Sequence, residues 1–502
     1  MSPPDASVSR RHFLGGASAA LVGAFASSAW PSGALARAPR QVGERAWHDL
    51  ARRLSGRLLR PWTAGFRAAA LPHNLRYAAV LPAGIARPRT ADEVAQAIRW
   101  CREHDVPLIA RAGGHSYAGY STTHGLMIDV SPMNNIELDR STGLARVGGG
   151  ARNGDLYKVL RAAGVAITHG RCSTVGAAGF LLGGGIGFNM RAHGIGCDQL
   201  IASEIVTADG RVAALGATEN PDLVWACRGA GGGNFGINTS FTLQTFAVAP
   251  LTVFALTWTT RPEEVIRVLM RAFDAAPDRL GSRISLLAVT PQQRAAGKDV
   301  AVNVLGQLVG PASELRDILD AVYRIARPAK EEILEKSYWE GQDFLTETEQ
   351  PTYFQERSTF IGGALDDRAL ALAFGWLRRW PGTAAAGDLR FFQTGGKVNA
   401  PAADATAFVH RSSRWIMLVG LYWDRTDAAG LVRRNRAWQD EFYAAMLPFG
   451  VGGAYQNFPD PSLRDWRTAY YGSNLPRLAR IKAAFDPTNV FDFAQAVPAA
   501  GA

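Results

Sequence analysis

Two stretches of this 502-residue chain join nucleophilic side chains to glycine-rich backbone. In RAGGHSYAGYS, residues 111–121, His115 follows Gly113 and Gly114, and a serine, two tyrosines and another glycine follow it. A Gly-Gly turn lets backbone approach a neighbour closely, a geometry of little use to a plain surface loop. In the second stretch, GRCSTVGAAGFLLGGGIGFNMRAHGIGCDQL, Cys172 precedes Gly176, Gly179, Gly183–Gly185 and Gly187. Each glycine alone reads as a tight turn. Together, as loops with exposed amide N–H groups near an imidazole and a thiol, they point to a bound dinucleotide. Imidazole and thiolate are also nucleophiles.

The usual phosphate-binding fingerprints do not account for these glycines. A literal G-x-G-x-x-G occurs at Gly231, Gly233 and Gly236, but INTSFTLQTF follows it, β-branched and alternating, so it reads as a strand. A nicotinamide-binding turn needs a strand before it and a helix after it. No G-x-x-x-x-G-K-[ST] is present either.

The elements that must position these residues change texture along the chain. From 80 to 250, short β-branched runs alternate with glycine-rich turns. TADEVAQAIRWCREHD predicts a helix opened by a Thr90/Glu93 capping box, with Val94, Ile98 and Cys101 on one face. VPLIAR predicts a strand that delivers the 111–121 loop; GLMIDVS, IELD and LARVGGG predict more strands. Asn153 is expected to cap a helix through Leu160, and ASEIVTADGRVAAL to form a hairpin at Asp209-Gly210. From 251 to 447, amphipathic helices such as RPEEVIRVLMRAFDAA and ASELRDILDAVYRIA alternate with strands such as ISLLAVT, AVNVLGQLV and RWIMLVGLYW. That is the pattern of an antiparallel sheet covered by helices. The 454–496 tail is dense in aromatics and ends in the helix NLPRLARIKAAF.

Composition is ordinary for a globular protein, 47% hydrophobic and 20% charged. The net charge is +10, yet the basic residues are dispersed and only six are lysines, Lys158, Lys298, Lys330, Lys336, Lys397 and Lys482. This is not a nucleic-acid footprint. The four cysteines, Cys101, Cys172, Cys197 and Cys227, fit no zinc spacing, and the sequence does not choose a disulfide pair among them. Residues 1–36, with Arg10-Arg11, a weakly apolar run and ALA at 34–36, read as a twin-arginine export signal rather than a membrane anchor. The expected location is periplasmic or secreted, with the export machinery as a partner and no stable membrane insertion.

The two glycine stretches, with LVWACRGAGGGNFGI and AYQNFPD…YYGSNLPRLARIKAAFDPTNVF, resemble the berberine-bridge-enzyme family of FAD-linked oxidases. The resemblance spans 80–250 and 395–496. It implies an α+β fold. A two-part FAD-binding domain of the vanillyl-alcohol-oxidase (PCMH) type covers 78–250, a substrate domain 251–447 is inserted, and a return segment at 448–496 completes the FAD site. It implies FAD bound twice, through His115 and Cys172. The cofactor would be lined by Arg111, Gly113, Gly114, Ser116, Val175, Gly176, Gly179, Gly183, Gly184, Gly187, Val206, Asn457 and Asn474. Tyr455, in a Y-x-N segment, takes the catalytic base position, and Tyr117 faces substrate. Gln393 and Tyr422 are weaker pocket candidates, and Asp198 and Arg191 are expected to brace loops. The RWIMLVGLYW strand lacks the Lys and Gln that some plant relatives use to activate their tyrosine. Val175 is the type associated with oxygen-reactive members. The expected activity is oxidation of an alcohol or hemiacetal of a carbohydrate or secondary metabolite, with O2 as acceptor. The alternatives are a dehydrogenase passing electrons to a quinone or cytochrome, and a catalytically silent ligand-binding flavoprotein.

Overall fold

The computed structural model describes residues 42–347, 350–383 and 385–501, so the expected leader at 1–36 lies outside the described residues. The first sheet holds β1 (Leu58–Leu59), β2 (Gly84–Ala86), β3 (Leu108–Arg111) and β4 (Leu126–Asp129) in the order β1-β2-β4-β3. β2 and β3 both run parallel to β4, which demands crossover connections. The helix Ala91–Glu103 supplies one of them and buries Val94, Ile98 and Cys101, the face the apolar spacing predicts. Only half of its capping box forms. Thr90 accepts the Glu93 N–H at 3.2 Å, but the Glu93 carboxylate takes the Arg89 N–H at 2.7 Å instead of that of Thr90.

The second sheet holds β5 (Ile136–Asp139), β6 (Leu144–Gly148), β8 (Leu200–Val206), β9 (Val212–Leu215) and β10 (Ile237–Gln244), in the order β5-β6-β10-β8-β9 and antiparallel throughout. A short ladder of β7 (Val165–Ala166) with β11 (Phe246–Ala247) lies beside it. β8 and β9 make the hairpin expected at Asp209-Gly210, where Gly210 adopts φ +76°. Gly231, Gly233 and Gly236 form tight turns leading straight into β10. One expectation is corrected. Arg152, not Asn153, occupies the N-cap of the helix Asn153–Ala163. Asn153 is turned inward, and its amide donates to the Cys172 carbonyl at 3.3 Å, tying the helix to the cysteine loop.

The third sheet has seven antiparallel strands: β12 (Leu251–Trp258), β13 (Leu280–Leu287), β14 (Ala301–Leu308), β15 (Lys330–Lys336), β16 (Tyr353–Ile361), β17 (Gly387–Gln393) and β18 (Trp415–Trp423), ordered β15-β12-β14-β13-β17-β18-β16. Strand side chains alternate between faces. Leu389 and Phe391, and Trp415, Met417 and Val419, join the core beneath the helices Pro262–Ala275, Ala312–Ile325, Asp367–Arg378 and Ala429–Met446. The intervening positions face the other way. They include Phe354, Glu356 and Phe360 on β16, Arg390 and Phe392 on β17, and Ile416, Leu418 and Tyr422 on β18. Phe360, Ile416 and Leu418 pack there against Met190, Ile195, Tyr455 and Phe458.

The segment after the third sheet folds back onto the second, where Ala454, Tyr470, Leu478 and Val497 share a core with Leu156, Leu181 and Phe241. A buried ion pair fastens it. Lys482 Nζ donates to Asp486 Oδ2 (2.7 Å), the Asn234 carbonyl (2.8 Å) and the Phe491 carbonyl (2.7 Å), and both side chains are fully buried. Removing one member of such a pair strands the other charge. Lys482→Met is expected to cost about 3–5 kcal/mol, and Lys482→Met/Asp486→Leu to recover only part of it, because the Asn234 and Phe491 carbonyls and the Val490 and Phe491 N–H groups lose these side-chain partners. Urea denaturation midpoints of the two variants check this.

Candidate functional site

The 111–121 loop leaves the end of β3 and is held from behind. The Arg111 guanidinium donates to the Ala70 carbonyl at 2.9 Å and to that of Leu71, and it packs under Gly114, whose φ of +73° admits no ordinary side chain. Ser116 Oγ accepts the Tyr120 N–H at 2.9 Å. The cysteine loop closes onto this one backbone to backbone. A Cβ on Gly113 would stand 2.2 Å from the Gly176 nitrogen, and one on Gly176 2.4 Å from the Gly113 nitrogen. His115 Nε2 lies 3.0 Å from Thr174 Oγ1, two residues beyond Cys172. His115 and Cys172 are both half-buried beside the exposed Ser173 and Thr174, so both nucleophiles stand at an accessible rim. Burial, with His73, Arg152 and Arg111 nearby, brings the His115 imidazole down to about 3, so it is neutral and nucleophilic at ordinary pH.

The third wall comes from the C-terminal return. A Cβ on Gly183 would meet Asn457 Oδ1 at 2.1 Å, and one on Gly184 would come within 3.0 Å of the Tyr455 ring. The Tyr455 hydroxyl accepts the Gly185 N–H at 2.8 Å. Asn457 Nδ2 lies 3.3 Å from that hydroxyl and donates to the Phe180 carbonyl at 2.9 Å. Burial pushes the Tyr455 phenol up, against the two donors on its oxygen. Its packing neighbours are apolar: Ile416, Leu418 and Phe458 among them. On β18 the residues that share this tyrosine's cluster are the aliphatic Ile416 and Leu418.

An aromatic run crosses from the loops to the third sheet. Tyr117 stacks on Phe458 (4.8 Å between centroids) and meets Phe354 edge-on (4.9 Å), and Phe354 stacks on Tyr422 at 5.8 Å. Beyond it lies a buried polar group. The Tyr422 hydroxyl donates to the Glu356 carboxylate and accepts from Arg390 Nη2 at 2.6 Å, and Arg390 also pairs with Glu356 (2.9 Å) and Asp388 (2.7 Å).

The structure thus brings together His115, Cys172, Gly113, Gly114, Ser116, Val175, Gly176, Gly183, Gly184, Tyr455, Asn457 and Tyr117. The glycines here owe their lack of side chain to loops closing on one another. The Cβ direction of Gly187 is filled by the His169 carbonyl, and only that of Gly179, an exposed residue, is open. Three expected cofactor contacts have other partners. Arg111 spends its donors on residues 70 and 71. Val206 is buried at the end of β8, in a cluster shared with Val94, Ile98 and Ile128. The Asn474 amide donates to the Ala403 (2.8 Å) and Thr406 (3.1 Å) carbonyls. Gln393 is bonded to Ser282 and the Phe273 carbonyl, Arg191 to the carbonyls of Ala276, Pro277 and Leu280, and Asp198 forms a two-pronged pair with Arg411. All four cysteines are free, with Cys101, Cys197 and Cys227 buried. Sequence reasoning missed His73, Phe354, Glu356 and Arg390. The last two lie in strands whose polar runs, FQERST on β16 and DLR on β17, hide the burial of their charges from the sequence pattern.

The arrangement can hold a flat, electron-poor ring at a rim carrying a neutral imidazole and a thiol, with a phenol and an amide on a third side. Comparison with known proteins agrees. A family model described as an FAD binding domain matches residues 82–216, and one described as berberine and berberine like matches 454–498. The chain is 33% identical to the FAD-linked oxidoreductase YgaK of Bacillus subtilis, over 80% of this chain and 88% of that protein. It is 32% identical to a carbohydrate oxidase of Microdochium nivale, over 87% and 92%. The solved xylooligosaccharide oxidase of Myceliophthora thermophila in complex with xylobiose superposes with a TM-score of 0.80 at 26% identity, covering 91% of this chain and all of that one. With its FAD-binding sheets, its helix-covered third sheet and the return segment that closes the site, the chain belongs to the berberine-bridge-enzyme-like family of FAD-linked oxidoreductases.

Proposed function

We propose that this protein is an exported carbohydrate oxidase carrying FAD bound through both His115 and Cys172. It oxidises an alcohol or hemiacetal carbon of a saccharide and hands the electrons to O2. The observation that carries this reading is the convergence of three chain segments, with Gly113 on Gly176 and Gly183 on Asn457. These contacts bring the loops that carry an imidazole and a thiol against the segment that carries a buried phenol. When bound, FAD supplies the two-electron acceptor for the substrate hydride. With Nε2 engaged by Thr174 Oγ1, the His115 nitrogen presented for a bond is Nδ1. Asn457 and the Gly185 N–H hold the Tyr455 oxygen in place to take the substrate hydroxyl proton.

The saccharide class rests on the named activities of the relatives. Tyr117, the half-buried end of the aromatic run whose Phe354 and Phe458 are buried, is the ring placed to meet a saccharide. Val175, in the turn after Cys172, supports reaction with O2, and the Arg10-Arg11 leader supports export of the folded protein.

Oxygen uptake across a panel of mono- and oligosaccharides, benzylic alcohols and alkaloids tests the reading. Saccharides are expected to give one H2O2 per O2 consumed. Saccharide turnover with a quinone dye but without peroxide would replace the oxidase by a dehydrogenase. No bleaching of the flavin by any of these compounds under anaerobic conditions would leave only a ligand-binding flavoprotein.

A further inference from the structure

The 71–77 segment precedes the first sheet's crossover, yet it is threaded between the His115 loop and the start of β16. The His73 N–H donates to the Gly114 carbonyl (3.0 Å), and the His73 carbonyl accepts the Thr352 N–H (3.0 Å). The next residue repeats the clamp with its side chain: Asn74 Nδ2 donates to the Tyr117 carbonyl (2.8 Å) and the Phe354 carbonyl (3.1 Å). Backbone on both sides of His115 is therefore pinned from one short segment. The buried His73 ring lies face to face on the His115 ring, with centroids 4.0 Å apart and planes 19° apart, and Phe354 packs edge-on against it at 6.1 Å.

We propose that His73 is a positioning residue for the covalent attachment of FAD to His115. The stacked ring fixes the plane of the His115 imidazole, and Thr174 fixes its rotation within that plane, so Nδ1 is presented in one direction. This inference rests on the histidyl link proposed above. In the attachment, an Nδ1–carbon bond replaces a C–H bond of the isoalloxazine ring methyl. The imidazole gives up its proton, and two electrons and two protons stay on the ring system until O2 removes them as H2O2. His73 takes no part in this bond-making. It removes the rotational freedom that a nucleophile must otherwise lose on the way to reaction. Burial and the three groups around His115, namely His73, Arg152 and Arg111, all disfavour its protonation, in line with a ring that stacks and reacts neutral.

The test uses full-length apoprotein from a flavin-limited host, mixed with FAD in aerated buffer. Flavin that survives denaturation is followed by gel fluorescence and intact mass. In a Cys172→Ala background, where only His115 can attach, His73→Leu is expected to slow attachment about 10- to 100-fold, the scale of losing a near-attack orientation. His73→Phe, which keeps a flat ring in the stack, is expected to stay within about threefold of the parent, since it preserves that orientation. In a His115→Ala background, where only Cys172 can attach, His73→Leu is expected to leave the rate unchanged.

Unchanged attachment in Cys172→Ala/His73→Leu overturns the inference. So does His73→Phe as slow as His73→Leu, and so does an equal loss in the His115→Ala background, which would mark general loosening of the loops. Absence of any covalent flavin in Cys172→Ala with His73 intact overturns the histidyl link itself and the inference with it, a result none of the other outcomes can imitate.

Discussion

Tyr455→Phe is expected to slow anaerobic flavin bleaching by saccharide about 10²- to 10⁴-fold, the range spanned by general-base catalysis. The loss to the fold should be small. The hydroxyl's partners are the Gly185 N–H and the Asn457 amide, and the unpaired donor costs about 1–3 kcal/mol. The pH dependence has a definite sign. Burial among Ile416, Leu418 and Phe458 raises the phenol above its ordinary range. The proton-accepting form is the deprotonated one, so its fraction grows with each unit of pH across the range in which the protein is stable. Bleaching rates should climb with pH and show no plateau in the neutral range. Stopped-flow traces from pH 5 to 10 check both points. A Tyr455→Phe rate within tenfold of the parent, or a plateau below pH 8, would move the base elsewhere; the Tyr422–Glu356 pair is then the next phenol–carboxylate couple along the aromatic run.

The second large effect is all-or-none. His115→Ala and Cys172→Ala are each expected to keep a yellow, fluorescent band after denaturation, and His115→Ala/Cys172→Ala to release its flavin into the filtrate. The two loops are locked by the Gly113–Gly176 backbone contact, which neither substitution touches, so loss of one nucleophile leaves the other in place at the rim. The imidazole is already neutral when it attacks, so attachment in Cys172→Ala should persist in mildly acidic buffer, well above the value of about 3 at which His115 gains its second proton. A single variant that releases all of its flavin would reduce the two links to one.

Much of this was legible in the residues because the signals were local. The 111–121 and 172–187 loops declare themselves by glycine next to a nucleophile, and the alternation of β13, β14 and β18 follows from β-branched and apolar runs. Asn153 misled because a side-chain amide just ahead of a helix has two uses, and the choice was settled by the carbonyl of Cys172, nineteen residues away. Glu93 did the same on a smaller scale, reaching Arg89 instead of Thr90. His73 was invisible for a stronger reason. Nothing in LPHNLRY distinguishes a ring stacked on His115 from a histidine on a surface turn, because the stack depends on Thr352 and Phe354, far along the chain, holding that turn in place. Arg111 and Asn474 show the converse: a motif places them beside the site, but carbonyls within reach claim their donors first.

The return of the 454–497 segment onto the second sheet has a consequence for biosynthesis. Tyr455 and Asn457 are synthesised after every strand they work with, so the centre cannot close until all three sheets have been made. A chain interrupted anywhere in the third sheet carries the imidazole and the thiol but lacks the phenol and the amide.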